Sequence, residues 1–414
     1  MSSLFEIREH VLPTSHIREF ARATSHTQTD TLVQHVKQYI PTDNSSPQKG
    51  DITIIGAHAN GFPKELYEPL WDDLHHALRA QGINIRSIII ADAAWQGQSG
   101  VLNAANLGND PSWNDLANDL RHLINILRPP PPLFAIGHSL GAAALTALSL
   151  NGAPRLFTGM ILMEPVIQQY ASSPGPPQQS PAAMSSRRRD TWPDRQTAMV
   201  GFRKSPFYAA WDDRVLDRWG RFGLRDSDDG RGVALTTTKH QEVFTFLRPA
   251  WPAYDAGGDK ILKPELVPDI DHRVDPDTGY KFTYPLYRPE PPAILARLPH
   301  LRPPVLYVFG LQSPMSPEVL RDEKMRLTGT GIGGSGGQRA GMVKKAERDN
   351  GHLIPLEAPG YCAQEASAWV TEQMQRWWAR EREYEDWTRL PQKDKSTLSA
   401  EHLKMLGVRE KAKI

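Results

Sequence analysis

LFAIGHSLGAAALTALSL, residues Leu133 to Leu150, decides how the rest of the chain is read. Leu133 to Ile136 is a short apolar run after a string of prolines, as expected of a buried strand. Gly137-His138-Ser139-Leu140-Gly141 is a G-x-S-x-G pentapeptide, and the Ala/Leu-rich residues that follow favour a helix. Strand, tight turn and helix are the context in which this pentapeptide becomes a nucleophile elbow. The two glycines let strand and helix approach closely, and the turn presents the Ser139 hydroxyl. A membrane helix is a poor alternative, because Gly, His and Ser interrupt a stretch only just long enough to span.

On either side of this stretch, apolar runs alternate with helical periodicity. Leu4 to Phe20 and Leu32 to Tyr39 read as two antiparallel strands. Asp51 to Gly56 and Ile83 to Ala91 are nearly all apolar, as in strands covered on both faces. Glu65 to Gln81 and the segment from Pro111 to about Leu127 read as helices. Leu156 to Met163 is a further strand, ending at Glu164-Pro165. The alternation predicts an α/β protein with a mostly parallel, doubly wound sheet. From 166 to about 301 it is lost. That region holds a Pro/Gln/Ser-rich stretch, Ser172 to Ser186, expected as a loop. It also holds two helical patterns, over Asp190 to Asp213 and Arg214 to Gly223, rich in Trp and Phe. It is read as a largely helical cap inserted between 1–165 and 302–414. Pro303 to Phe309 restores the sheet, Gly341 to Ala346 adds a last strand, and Glu365 to Glu383 is an amphipathic helix.

Bulk properties narrow the function. The chain has 414 residues, 48 Lys+Arg against 47 Asp+Glu, and one cysteine. A balance so near neutral gives no support for nucleic acid or an anionic membrane as partner. A single cysteine, Cys362, rules out an internal disulfide and suits a reducing compartment. No run suggests a membrane span, and the charged N-terminus lacks the apolar core of a signal peptide. Gly329, Gly331 and Gly334 form a G-x-G-x-x-G that does not sit between a buried strand and a helix, so it reads as a surface loop and not a dinucleotide site. No cofactor and no metal are expected.

A serine hydroxyl needs a neighbouring base, itself oriented by an acid. In α/β-hydrolases the order along the chain is Ser, acid, His. His352, in the loop after the last strand, is the expected base for Ser139. His58 precedes the nucleophile, and His138 adjoins it with its side chain expected to point away. The acid often follows the strand after the cap. Here that stretch is Gly310-Leu311-Gln312-Ser313-Pro314, with Ser313 where the carboxylate would stand. Asp322 comes later, on a helix. Glu164 ends the strand directly after the elbow helix, at the carboxyl edge where open α/β sheets carry their sites, and is expected to be the acid. The oxyanion hole is expected from the backbone N–H of Leu140 and of Phe62, with Ala59 as competitor. Arg187, Arg188 and Arg189 form a basic run suited to phosphate oxygens, although a solvated basic turn is the simpler explanation.

HANGFPKE at 58–65, GHSLG at 137–141, MEP at 163–165, RRRDTW at 187–192 and NGHLIPLE at 350–357 give the chain a family likeness. It resembles the fungal α/β-hydrolases of the toxin-biosynthesis type, among them the peroxisomal acyl-CoA hydrolases of the mycophenolic acid pathway. The resemblance covers most of the chain and implies an α/β-hydrolase fold and cleavage of an acyl-CoA thioester. In those hydrolases the acid after the nucleophile's neighbouring strand is Asp, so Glu164 is one methylene longer. A carboxylester hydrolase or lipase would use the same triad, and an inactive hydrolase-fold binding protein would not retain it. Ala412-Lys413-Ile414 follows the small–basic–aliphatic pattern of a peroxisomal address. The partners expected are an acyl-CoA or ester substrate and a peroxisomal import receptor, with self-association into a homodimer left open.

Overall fold

The apolar runs become the strands of a single mixed sheet. A computed structural model describes residues 4–169, 178, 180–270 and 284–408. In chain order, β1 (Phe5–Pro13), β2 (Val33–Pro41), β3 (Ile52–Ala57), β4 (Ile85–Ala91), β5 (Leu133–His138) and β6 (Gly159–Met163) precede the insertion. Within it lie short strands β7 (Thr191–Trp192), β8 (Leu224–Asp226), β9 (Val233–Leu235), β10 (Arg248–Pro249) and β11 (Leu286–Tyr287). The sheet then resumes with β12 (Val305–Gly310) and β13 (Val343–Arg348). The spatial order is β1-β2-β4-β3-β5-β6-β12-β13. β1–β2 and β2–β4 pair antiparallel, and every later pair is parallel. Strand order reverses at β3, where β4 lies on one side and β5 on the other. Open α/β sheets bind ligands beyond the carboxyl ends at such a switch point. The loops after β3 and β5 carry HANGFPKE and GHSLG.

Each face of the sheet has its own apolar layer. Leu70, Trp71 and Leu74 of the helix Glu68–Ala80 pack with Trp369, Val370 and Met374 of the helix Pro359–Thr388 on one face. Leu116, Leu120 and Leu123 of the helix Trp113–Leu127 pack with Ala144, Leu145 and Leu148 of the helix Leu140–Leu150 on the other. Burial on both faces is why β3, β5 and β12 are buried at every position.

The described part of the insertion is helical, as its sequence suggests, with short strands between the helices. Thr191–Trp192 pairs with β9, and β9 with β8, in a three-stranded sheet where a helix is expected from Asp190. Helices Arg195–Lys204 and Asp213–Phe222 follow the aromatic periodicity. Part of the expected loop from Ser172 lies outside the described residues. Its end is instead a helix, Pro181–Arg187, because the Ser180 side chain caps the Ala183 amide and proline suits the first turn. Among the described residues no helix is long and apolar enough to cross a membrane.

Candidate active site

Ser139 joins β5 to the helix Leu140–Leu150 at φ 54° and ψ −115°, a left-handed conformation that a serine adopts only under constraint. The constraint is local packing. A Cβ on Gly137 would lie 2.6 Å from the Ala142 Cα, and one on Gly141 would meet the Ala57 carbonyl. Strand, elbow and helix therefore touch backbone to backbone, and the Ser139 amide is tied to the Met163 carbonyl at 2.9 Å.

His352 brings Nε2 to 2.9 Å from Ser139 Oγ, and its Nδ1 lies 2.9 Å from Glu164 Oε2. The three sequence-derived residues thus form one chain of hydrogen bonds. Glu164 also has a left-handed φ, 48°, where the chain leaves β6. Its carboxylate is buried, 1% exposed, and accepts three further bonds. The Gly310 amide donates at 2.8 Å, Ser313 Oγ at 2.6 Å and Ser316 Oγ at 2.7 Å. A buried charge needs such donors to offset its lost hydration. Ser313, read as an emptied acid position, is therefore a hydrogen-bond partner of Glu164, the expected acid, which stands one strand away. The Ser313-Pro314-Met315-Ser316 turn was the available signal. Lys324, fully buried on the helix Glu318–Leu327, has its ammonium pushed down to about 8 by burial, partly countered by Glu164 and Glu323. Asp322 faces solvent beside Lys345, away from His352.

The loop after β3 needs one correction. The Phe62 amide donates to the Ala59 carbonyl at 3.3 Å inside its own turn, and the Ala59 amide donates to Tyr67 Oη at 2.9 Å. Gly61 N–H goes to Gln96 Oε1 at 2.8 Å. Among the described residues no protein acceptor meets the amides of Leu140 or Asn60. The amide of Leu140, one expected donor, is free; that of Phe62, the other, is engaged in its own turn, and Asn60 carries the free amide of the loop instead. The ring of Phe62 instead packs on Trp211 and Trp219 of the cap, with centroids 5.6 and 6.1 Å away.

Buried polar groups hold this loop. His58 accepts from the Ala93 amide through Nε2 and donates to the Ala59 carbonyl through Nδ1. Lys64 Nζ lies 2.6 Å from Asp92 Oδ2. Burial alone would raise the Asp92 carboxyl, yet Lys64 and His58 hold it below its ordinary value. Asn60 Oδ1 accepts from Gln96, which also donates to Thr245 Oγ1, so the cap helix Lys239–Phe246 is bonded to the loop.

His138 does not simply point away. Its Nδ1 accepts from Tyr67 Oη at 2.8 Å, and its Nε2 donates to the His352 carbonyl at 2.9 Å. Burial, with His352 nearby, pushes its pKa down to about 3, so the ring is neutral. One path of bonds thus runs from the Ala59 amide through Tyr67 and His138 to the loop that carries His352.

Of the arginine run, Arg187 and Arg189 are exposed and Arg188 is half-buried. Arg188 Nη2 lies 2.5 Å from Glu242 Oε2, and Ser185 Oγ donates to the other oxygen of Glu242 at 2.6 Å. Arg187 donates to the Ala183 and Gln178 carbonyls. Arg189 donates to the Thr191 carbonyl and lies over the Trp192 ring. Arg188 is thus ion-paired within the cap, and Arg187 and Arg189 each donate to backbone carbonyls of the same segment. Ala412, Lys413 and Ile414 lie outside the described residues. Cys362 is buried, and burial pushes its thiol well up. Among the described residues no cluster of His, Cys, Asp and Glu could hold a metal ion.

A family profile, serine aminopeptidase S33, matches residues 70–208, which include the elbow. The type I acyl-CoA thioesterase mpaH' of Penicillium brevicompactum is 36% identical over 407 residues, covering 92% of this chain and 91% of that protein. The type I acyl-CoA thioesterase mpaH of Penicillium roqueforti is 36% identical over 411 residues, at the same coverage. The abhydrolase domain-containing protein AKT2 of Alternaria alternata is 26% identical over 251 residues, 58% of this chain and 83% of its own. Among solved structures, the peroxisomal α/β-hydrolase Lpx1 of Saccharomyces cerevisiae shares the fold, with a TM-score of 0.68 at 16% identity and coverage of 98% and 96%.

Proposed function

The chain belongs to the α/β-hydrolases that include the Penicillium type I acyl-CoA thioesterases, and from that premise we propose that it hydrolyses an acyl-CoA thioester through an acyl-enzyme on Ser139. The observation that carries the reading is the unbroken line Glu164–His352–Ser139, with both hydrogen bonds at 2.9 Å. Ser139 Oγ attacks the thioester carbonyl while His352 Nε2 takes its proton. The amides of Leu140 and Asn60 stabilise the oxyanion, each worth a few kcal/mol, on the order of a hundredfold in rate. Collapse expels the CoA thiolate, which receives the proton from His352. Water, deprotonated by the same nitrogen, then attacks the acyl-Ser139 ester, and the free acid leaves. Glu164 holds the Nδ1 proton and offsets the imidazolium charge throughout.

The segment 166–301 acts as the cap over this site. Phe62, Trp211 and Trp219 meet between it and the loop after β3, giving an apolar wall suited to an acyl chain. Release of free thiol across a series of acyl-CoAs, set beside hydrolysis of simple esters, tests the reading. Thioester turnover at least tenfold above ester turnover in kcat/KM supports it. The reverse order assigns a carboxylester hydrolase, and no covalent labelling of Ser139 by a fluorophosphonate assigns an inactive binding protein. We place the enzyme in the peroxisome on the Ala412-Lys413-Ile414 pattern. A fluorescent protein carrying the last dozen residues should collect with a peroxisomal marker, and diffuse fluorescence overturns the address.

A further inference from the structure

Gln96 lies in the loop after β4, directly before the helix Gly97–Leu102. Its side chain is completely buried, and both of its polar atoms are used. Oε1 accepts from the Gly61 amide at 2.8 Å, and Nε2 donates to Asn60 Oδ1 at 2.5 Å and to Thr245 Oγ1 at 3.0 Å. The polarity of this chain of bonds is fixed at both ends. The Gly61 N–H can only donate, and the Glu242 carbonyl, 3.0 Å from Asn60 Nδ2, can only accept. Gln96 must therefore turn its oxygen to Gly61 and its nitrogen to Asn60, whose own oxygen must face Gln96. One side chain thus clasps residue 60 by its side chain and residue 61 by its backbone. The Asn60 N–H beside them is the one that, among the described residues, meets no protein acceptor.

The cap completes the clasp. Thr245 Oγ1, on the cap helix Lys239–Phe246, accepts from Gln96 and from Trp95 Nε1 at 2.8 Å. Its own proton goes to the Gln241 carbonyl at 2.6 Å. Glu242 of the same helix supplies the carbonyl that holds Asn60, and its carboxyl group lies against the loop, where a Cβ on Gly61 would stand 2.8 Å from Glu242 Cδ. Thr237, just before the helix, takes the Gly97 amide at 2.9 Å. The loop after β3 is therefore set from the cap side, through the turn that carries Gln96.

An oxyanion hole stabilises charge only where its donors are aimed before the reaction begins. A misplacement of about 1 Å costs about a hundredfold in rate. We propose that Gln96 is the positioning residue of the oxyanion hole: it aims the Asn60 amide, and through Thr245 it makes that aim depend on a seated cap. The inference rests on the reading of Asn60 as a donor to the acyl-enzyme chemistry of Ser139. Seating of the cap helix over an acyl group and completion of the site are then one event, so acyl groups that let the helix seat gain in kcat.

Gln96→Leu keeps the bulk of the side chain and removes its bonds to the loop. With an acyl-CoA, kcat should fall by about tenfold to a hundredfold while KM stays within about twofold of the parent, because the oxyanion forms only after binding. A trifluoromethyl ketone, whose adduct with Ser139 carries an oxyanion, should lose affinity by the same factor as kcat/KM. A side chain that only supported the fold would lower melting and leave these ratios alone. Should Gln96→Leu fail to fold, Gln96→Glu keeps the acceptor for Gly61, loses the donor to Asn60 and Thr245, and should move kcat and KM in the same way. Thr245→Val should lower kcat by about fivefold, the effect expected of one neutral hydrogen bond. Thr245→Ser, which keeps the acceptor, should restore it, and Thr245→Val should add nothing in the Gln96→Leu background. A kcat within about threefold of the parent in the Gln96 variants, or a loss carried by KM, overturns the proposal. So does a ketone affinity that does not follow kcat/KM, or an additive loss from Thr245→Val. Fluorophosphonate labelling of Ser139 in the parent separates the two readings. An unlabelled parent overturns the acyl-enzyme and this inference with it, whereas a labelled parent with unaffected Gln96 variants overturns this inference alone.

Discussion

Glu164→Gln isolates what the acid does, because the side chain keeps its shape and loses one acceptor and its charge. Oε1 accepts from the Gly310 amide and Ser316 Oγ, and Oε2 from Ser313 Oγ and His352 Nδ1. The new NH₂ group must replace one of these oxygens. In the Oε1 position it opposes the Gly310 N–H, a backbone donor that cannot turn. In the Oε2 position it opposes His352 Nδ1, and the imidazole can relieve that clash by moving its proton to Nε2. The second arrangement is therefore favoured, since the serine hydroxyls rotate freely. It leaves an N–H facing Ser139 Oγ across 2.9 Å, where a lone pair is needed. The wrong tautomer of a triad histidine lowers kcat by about 10⁴-fold. The unsatisfied contacts should lower stability by about 1–3 kcal/mol, so the protein still folds. Glu164→Asp keeps the charge but withdraws the carboxylate by about 1.5 Å. A displacement of that size costs about 10²-fold, which should place this variant between parent and amide. Thiol release at saturating acyl-CoA, with thermal melting as the folding control, measures both. A glutamine variant within about tenfold of the parent would refute the assignment of the acid.

Ser139→Ala removes only the nucleophilic oxygen; kcat should fall by about 10⁶-fold with melting unchanged, and a smaller loss than a hundredfold rejects the acyl-enzyme. Ser313→Ala with Ser316→Ala strips two donors from the buried carboxylate and should slow turnover by about tenfold to a hundredfold and lower stability by about 1–3 kcal/mol; Asp322→Asn, at an exposed site, is the control expected to do neither. His138→Gln tests the buried neutral ring. As pH falls below the ordinary 6.5 the unfolded chain takes up a proton that folded His138, at about 3, does not. Its contribution is therefore full above pH 6.5 and lost towards pH 3, about 2 kcal/mol of it between pH 7 and 5. Urea unfolding at the two pH values should show that much less acid loss in the variant, and an unchanged difference would exclude His138 as its source.

Local pattern alone was enough for the elbow. Gly137 and Gly141 in strand–turn–helix order admit one close-packed geometry, so Ser139 and the parallel sheet were legible without coordinates. His352 and Glu164 were legible from chain order and from their places at strand ends, because a parallel sheet puts every such end on one edge. The sequence could not say how an amide or hydroxyl is already used. Phe62 and Ala59 are the candidate donors in the string HANGF, and only the packed loop shows both amides taken, one by the Ala59 carbonyl and the other by Tyr67. Ser313 looks like an acid lost, until β6 and β12 lie side by side and its hydroxyl meets Glu164 from the neighbouring strand. Arg188 looks free for a phosphate, until a helix more than fifty residues later brings Glu242 to it. Residues in the motifs were set by short-range backbone geometry, which sequence encodes directly. Their partners were set by contacts between distant segments, and those exist only once the apolar faces have packed.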